Sequence, residues 1–359
     1  MNTEITNDSI ELRNYLFKEL KISNSKELIK LYSTFNNIQI QKLRIKYYHT
    51  RNDKKIEINK AKYIPDNISN KSYLMNETLI SLENEKIQVN IKIYSNKEVN
   101  KFVNILISTI EYVCSIAPIS VNKLNLNYYL TDNKKEIKLK NKNEKYVLSK
   151  NEVNSGFCSN DMFNSNITIY RVEEVIKVTI HELIHAMNYD YRNDSNKIIE
   201  MYKKRYNITS EEIRTYEAYT EFWANLINCY LISKRSKRSN YEVFITLISL
   251  EKNFAILQSE KVFHITKLTS EKIDINQKTN VLAYYIIRSE FYQKLNLILK
   301  FCSLHNINYV KMEKIDKWYL FLKENIPKVE KNNRRFNNMN KKKLIYKTMR
   351  MSVNELSIH

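Results

Sequence analysis

His181, Glu182 and His185 stand in an HExxH pattern inside Val172–Tyr189, VEEVIKVTIHELIHAMNY. Four residues advance a helix by about one turn, so both imidazoles leave from one face and can share a metal ion. Glu182 then stands beside a water bound to that ion, where a carboxylate serves as a general base. With only six histidines in 359 residues, composition alone rarely produces this pattern. Zinc also needs a third protein ligand. Two glutamates one turn apart, Glu217 and Glu221, are the candidates downstream.

Two helices must carry these groups. At roughly 100° per residue, Val172, Ile176, Ile180, Leu183, Ile184 and Met187 form one apolar stripe, with the histidines, Lys177 and Asn188 on the other side. One face is expected to pack and the other to do chemistry. The second helix contains RTYEAYTEFWANLINCYL, Arg214–Leu231, and Thr209-Ser210-Glu211-Glu212 gives it a capped, acidic start. Tyr216, Tyr219, Trp223, Leu226, Ile227 and Tyr230 form its packing stripe. Glu217 and Glu221 fall opposite with Asn228, flanked by the small Ala218 and Ala224.

HELIHAM followed by EAYTEFWA resembles the gluzincin arrangement, in which thermolysin-like zinc metallopeptidases follow HExxH with an ExxxD helix. The resemblance covers about 60 residues, Ile167–Leu231. It implies that His181, His185 and Glu217 hold Zn2+, that Glu182 is the catalytic base, and that Glu221 is the acid that orients a ligand histidine. The 32-residue interval from His185 to Glu217 is longer than in thermolysin, and Glu221 stands where aspartate is usual. A second register remains open, because Glu221-Phe222-Trp223-Ala224 is similar to the EFFA-like element of some toxin metallopeptidases, where the first glutamate is the ligand. The fold implied is α+β and mainly helical: a zincin-like core with a small mixed or antiparallel sheet beside the HExxH helix and further C-terminal helices. In such folds an edge strand beside the metal helix holds an extended peptide, a role expected here for Asn166–Tyr170.

The implied activity is peptide-bond hydrolysis on a peptide or protein substrate. The competing reading is a non-catalytic zinc-containing protein whose basic surface binds nucleic acid or a partner. Lys and Arg outnumber Asp and Glu by 59 to 39, giving a net charge of +20. That favours anionic partners, but no nucleic-acid-reading module is visible. The abundance of Asn, Lys and Ile also fits an AT-rich coding sequence, such as that of a large DNA virus. Cys114, Cys158, Cys229 and Cys302 form no CxxC pair. A reducing, intracellular setting is expected. The N-terminus lacks the form of a secretory signal, and no stretch is apolar enough to span a membrane.

The rest of the chain divides into three expected segments: 1–95, an N-terminal α/β region; 96–235, the catalytic core; and 236–359, helices with a basic tail. Residues 8–35 read as two helices, with Ile10, Leu12, Leu16, Phe17 and Leu20 packing in the first and Leu28, Ile29, Leu31 and Tyr32 in the second. Strand alternation appears at Ile38–Tyr47, Ile56–Ile58, Ile87–Ile93 and Leu124–Leu130, with Pro65–Asn76 as loop. A helix is expected from Lys97 to Ser115, and Gly156, the one glycine, is expected at a turn. Tyr191–Asn207 reads as a polar, basic connection, and later helices as Tyr241–Gln258, Val281–Ser303 and Tyr309–Glu324. His264, His305, Tyr216 and Tyr219 are candidate oxyanion donors. The basic run Lys328–Met351 is expected to be a solvated face.

Overall fold

The computed structural model describes residues 5–58, 62–69, 71–137, 147–161, 163–192, 195–208, 213–237, 240–266, 279–329, 334–337 and 339–359. About 48% of the chain is helical and 19% is strand, so the fold is mixed α/β with helix dominant. The Lys- and Asn-rich run Asn133–Lys145 reads as a solvated excursion, but most of it, like the expected helix start at Thr209–Glu212, lies outside the described residues.

The sheet is larger than expected. Its six strands are β1 (Arg44–Glu57), β2 (Ser72–Glu83), β3 (Gln88–Ser95), β4 (Lys123–Tyr129), β5 (Gly156–Asn160) and β6 (Asn164–Ile169), in the order β1-β2-β3-β4-β6-β5. The first three strands run antiparallel, β3, β4 and β6 are mutually parallel, and β5 is antiparallel to β6. Parallel neighbours require a crossover. Helix Asn100–Cys114 makes the one from β3 to β4, burying Phe102, Leu106, Ile110 and Val113. Alternation on β4 sends Leu124, Leu126 and Tyr128 into the core. On the opposite face, Asn90, Asn125 and Asn166 form an amide ladder across β3, β4 and β6, with links of 3.1 and 3.0 Å.

Several expectations need correction. Strand β2 occupies part of the expected loop Pro65–Asn76. Its period is blurred because Ile80 and Leu82 face the main core, whereas Met75 joins a separate cluster with Ile56 and Tyr94. Ile38 and Ile40 precede β1, and Ile45 and Tyr47 are exposed because β1 is an outer strand. Ile10, Phe17 and Ile29 are also exposed on the N-terminal helices Asn7–Phe17 and Lys26–Asn36. The connection after the HExxH helix contains a helix, Asn196–Tyr206, capped by Ser195 and anchored by Ile198, Tyr202 and Tyr206. Helix Asn240–Ile265 runs past Gln258. The stretch from Val281 is a π-helical turn, Leu282–Ile287, followed by helices Arg288–Gln293 and Leu295–His305. A small hairpin precedes helix Ile315–Asn325.

Gly156 opens β5 without a left-handed φ, so turn geometry does not explain it. A Cβ there would meet the Thr168 carbonyl oxygen at 2.9 Å and Val178 Cγ1 at 3.2 Å. The glycine permits close approach of β5 to β6 and the HExxH helix. The strand at the sheet edge is therefore β5, while Asn166–Tyr170 is interior.

One hydrophobic core runs from Leu12 to Ile358 and draws on all three expected segments. The basic tail is not simply a solvated face. Lys341–Lys343 are exposed, but Met349, Arg350, Met351 and Val353 are fully or almost fully buried. No helix among the described residues is long and apolar enough to cross a membrane. All four cysteines are free.

Candidate metal centre

The HExxH helix spans Val175–Ala186 and is buried along its whole length. Its polar side meets protein rather than solvent, because it packs against helix Tyr216–Lys234, itself buried on nearly every face. Glu174 starts the HExxH helix with φ of 60°. A non-glycine residue in the left-handed region needs compensation. Its buried carboxylate accepts hydrogen bonds from Met351 N and Ser352 N and from Lys135 Nζ. The C-terminal strap 348–354 thereby holds the start of the histidine helix.

The two helices bring His181, His185 and Glu217 together. Nε2 of His181 lies 3.1 Å from Nε2 of His185, and Glu217 Oε2 lies 3.2 and 3.3 Å from those two nitrogens. Ligands about 2.0–2.1 Å from a tetrahedral zinc are spaced by about 3.3 Å. The three edges match one face of such a tetrahedron. All three side chains are buried, and they form a group able to hold a metal ion. Glu221 does not compete for that place. It faces Nδ1 of His181 at 2.9 Å, and its other oxygen accepts from Lys177 Nζ at 2.8 Å and Arg288 Nη1 at 3.4 Å.

Each donor has a fixed partner behind it. His185 Nδ1 lies 2.5 Å from Asp190 Oδ2, which also accepts from Thr220 Oγ1 at 2.8 Å. Tyr284 donates its hydroxyl to Glu217 Oε2 at 3.1 Å, and Asn280 Nδ2 reaches Glu217 Oε1 at 3.4 Å. Such partners fix ring tautomer and ligand direction. Arg288 also binds the Met351 carbonyl, which links Glu221 to the C-terminal strap.

Electrostatically, the free cluster is arranged for positive charge. Burial opposes protonation of His185, but Asp190 and Glu217 outweigh it and push the ring up to about 10. For His181, burial is likewise outweighed by Glu217 and Glu221, and the pKa rises. Burial alone would raise the Glu217 carboxyl, yet His185 and His181 hold it well below the carboxylate range. Glu182 moves the other way. Burial raises it, against the pull of His181 and His185. Among the described residues none donates a hydrogen bond to the Glu182 carboxylate, which lines the cleft.

No known protein family and no solved structure matches the chain. Over 183 residues it is 25% identical to an uncharacterized protein of Acanthamoeba polyphaga mimivirus. That match takes in 48% of this chain and 43% of the viral protein, so it spans less than half of the relative's length.

The centre opens into a cleft of about 270 Å³, walled by Gly156, Phe157 and Cys158 of β5 on one side and by Tyr216 and Tyr284 near His181, His185 and Glu217. Of the candidate oxyanion donors, only Tyr216 lines this cleft, with its ring 5.8 Å from that of His185. Tyr219 points elsewhere and donates to the Val310 carbonyl at 2.8 Å. His264 packs against Phe336 and Tyr346, and His305 against Phe301, because both close apolar contacts in the C-terminal half. Sequence reading missed Asp190, Arg192, Asn280, Tyr284 and Arg288. Asp190 follows the motif by five residues and had a local signal; the last three lie 63 or more residues beyond Glu217 and had none.

Proposed function

We propose that this chain is a zinc-dependent metallopeptidase, with Zn2+ held by His181, His185 and Glu217. The observation that carries this reading is the near-equilateral triangle of donor atoms beside a buried carboxylate, Glu182, that is free of ion pairs with the described cations. A zinc ion bound there supplies an acidified water and polarises a carbonyl. Glu182 takes the proton from the attacking water and passes it to the departing amine. The outer edge of β5 offers main-chain N–H and C=O groups to an extended substrate, placing a peptide across the cleft.

The experiment is metal analysis of the purified protein together with cleavage of a mixed peptide library. Glu182→Gln is expected to retain one zinc per chain and lose turnover by at least about a thousandfold. Undiminished cleavage by that variant removes Glu182 from its role. Stoichiometric zinc with no hydrolysis by the wild-type chain would favour a zinc-containing binding protein instead.

A further inference from the structure

Four cationic side chains, Lys62, Lys150, Arg192 and Arg214, line the cleft, of which Lys62 and Arg214 have further interactions of their own. Glu182 and Glu217 are the cleft's only carboxylates among the described residues. Glu217 is committed to the two imidazoles. Lys150 meets Asp66 at 3.0 Å, but that aspartate is largely in solvent.

Arg192 stands out among the four. Its Nε is buried without a hydrogen-bond partner. Asp190, two residues earlier, already gives one oxygen to His185 and Thr220. The bonded neighbour of Arg192 is the Cys158 thiol of β5, and the Asp190 and Glu182 carboxylates act on its charge through space. Arg214 reaches the cleft from another side, donating to the Tyr63 hydroxyl at 3.2 Å, and the Tyr63 ring packs 5.8 Å from Phe157. Phe157 and Cys158 are successive residues of β5, so two guanidinium groups flank the edge along which an extended chain would pair.

We propose that the cleft selects acidic peptides, with Arg192 anchoring a substrate carboxylate close to the scissile bond. This rests on the peptidase reading and adds the substrate class to it. A carboxylate matches the planar donor fork of a guanidinium and gives the unpartnered Nε a charged acceptor, which a neutral amide at the same place does not. Nucleic acid would also satisfy the cations, but it has no main-chain amides to pair with β5. The edge strand therefore favours a peptide.

The test uses the full chain, zinc-loaded and carrying Glu182→Gln, so that binding is read without turnover. Fluorescent peptides that differ only in Asp and Glu against Asn and Gln are titrated by anisotropy at low salt. The acidic peptide is expected to bind at least about tenfold more tightly, and Arg192→Gln to remove most of that advantage while changing amide-peptide affinity by less than about twofold. Arg192→Lys, which keeps the charge, retains part of the preference. Equal affinity for the two peptides overturns the proposal, as does a preference that survives Arg192→Gln in a protein with unchanged melting. Displacement of the acidic peptide by a single-stranded oligonucleotide of equal charge at lower concentration also overturns it and assigns the cations to nucleic acid. A wild-type chain that cuts no peptide, while the Glu182→Gln protein still prefers acidic ones, ends the peptidase reading and leaves the selectivity standing.

Discussion

Glu221 meets His181 at Nδ1, 2.9 Å away, on the side of the ring opposite to Glu217, which lies 3.2 Å from Nε2. One carboxylate orients the imidazole and the other shares the side that faces His185. The two glutamates therefore predict different losses. Glu221→Gln should weaken zinc binding about ten- to a hundredfold, because it removes the charge behind His181 and leaves the three donor atoms in place. Glu217→Ala should abolish stoichiometric zinc. Competition against a chromophoric chelator separates them, and a larger loss for Glu221→Gln would reverse the assigned roles.

Asp190 does for His185 what Glu221 does for His181, and Thr220 holds it in place. Asp190→Asn keeps the shape but weakens the charge on which the ring's orientation depends. Zinc affinity is expected to fall by about tenfold or more, with the melting temperature of the zinc-loaded protein falling in step. A variant that melts lower without zinc and binds the metal normally would make Asp190 a folding residue only.

Gly156 leaves no room for a methyl group, since the Thr168 oxygen and Ile169 Cγ1 stand at 2.9 and 3.1 Å from the Cβ position. Backbone cannot move aside as a flexible side chain does. Gly156→Ala should cost about 1–3 kcal/mol in urea unfolding and shift β5 at the cleft wall. Wild-type stability in that variant would show that β5 can retreat from β6 freely.

Glu290 is buried among Tyr202, Tyr206 and Arg205. Burial pushes its carboxyl up to about 7, with those partners only partly offsetting it. An acid whose folded pKa exceeds its unfolded value costs nothing below the unfolded pKa, and its cost grows until the folded pKa is passed. Between pH 6 and pH 8 this one group should remove about 1 kcal/mol of stability. Glu290→Gln should flatten that part of the profile. Urea melts at the two pH values check it, and an unchanged slope would show that Glu290 titrates normally.

Local pattern revealed the elements of the centre but not all of their surroundings. The alternation in β3 and β4 and the stripes on the two site helices are legible because each depends on neighbours two to four residues apart. Strand β2 was hidden because its buried residues serve two different clusters on opposite faces. Tail residues 348–354 close the basic run that starts at Lys328, yet the fold threads them through the interior, where Gln258, Lys261, Tyr285 and Arg288 bond their carbonyls. No composition rule anticipates a segment whose successive carbonyls are matched by side chains from distant helices.

By itself, the sequence determined that two imidazoles share a helix face with a glutamate beside them, and that two further glutamates stand one turn apart on another helix, since helical spacing alone relates each pair. Only the tertiary structure decided which glutamate closes the triangle. That choice depends on how the helices cross: Glu217 and Glu221 lie one turn apart on the same side, and the crossing sets the first against Nε2 of His181 and the second against Nδ1. The same crossing admits Tyr284, Asn280 and Arg288 from a later part of the chain, and no local spacing records their arrival.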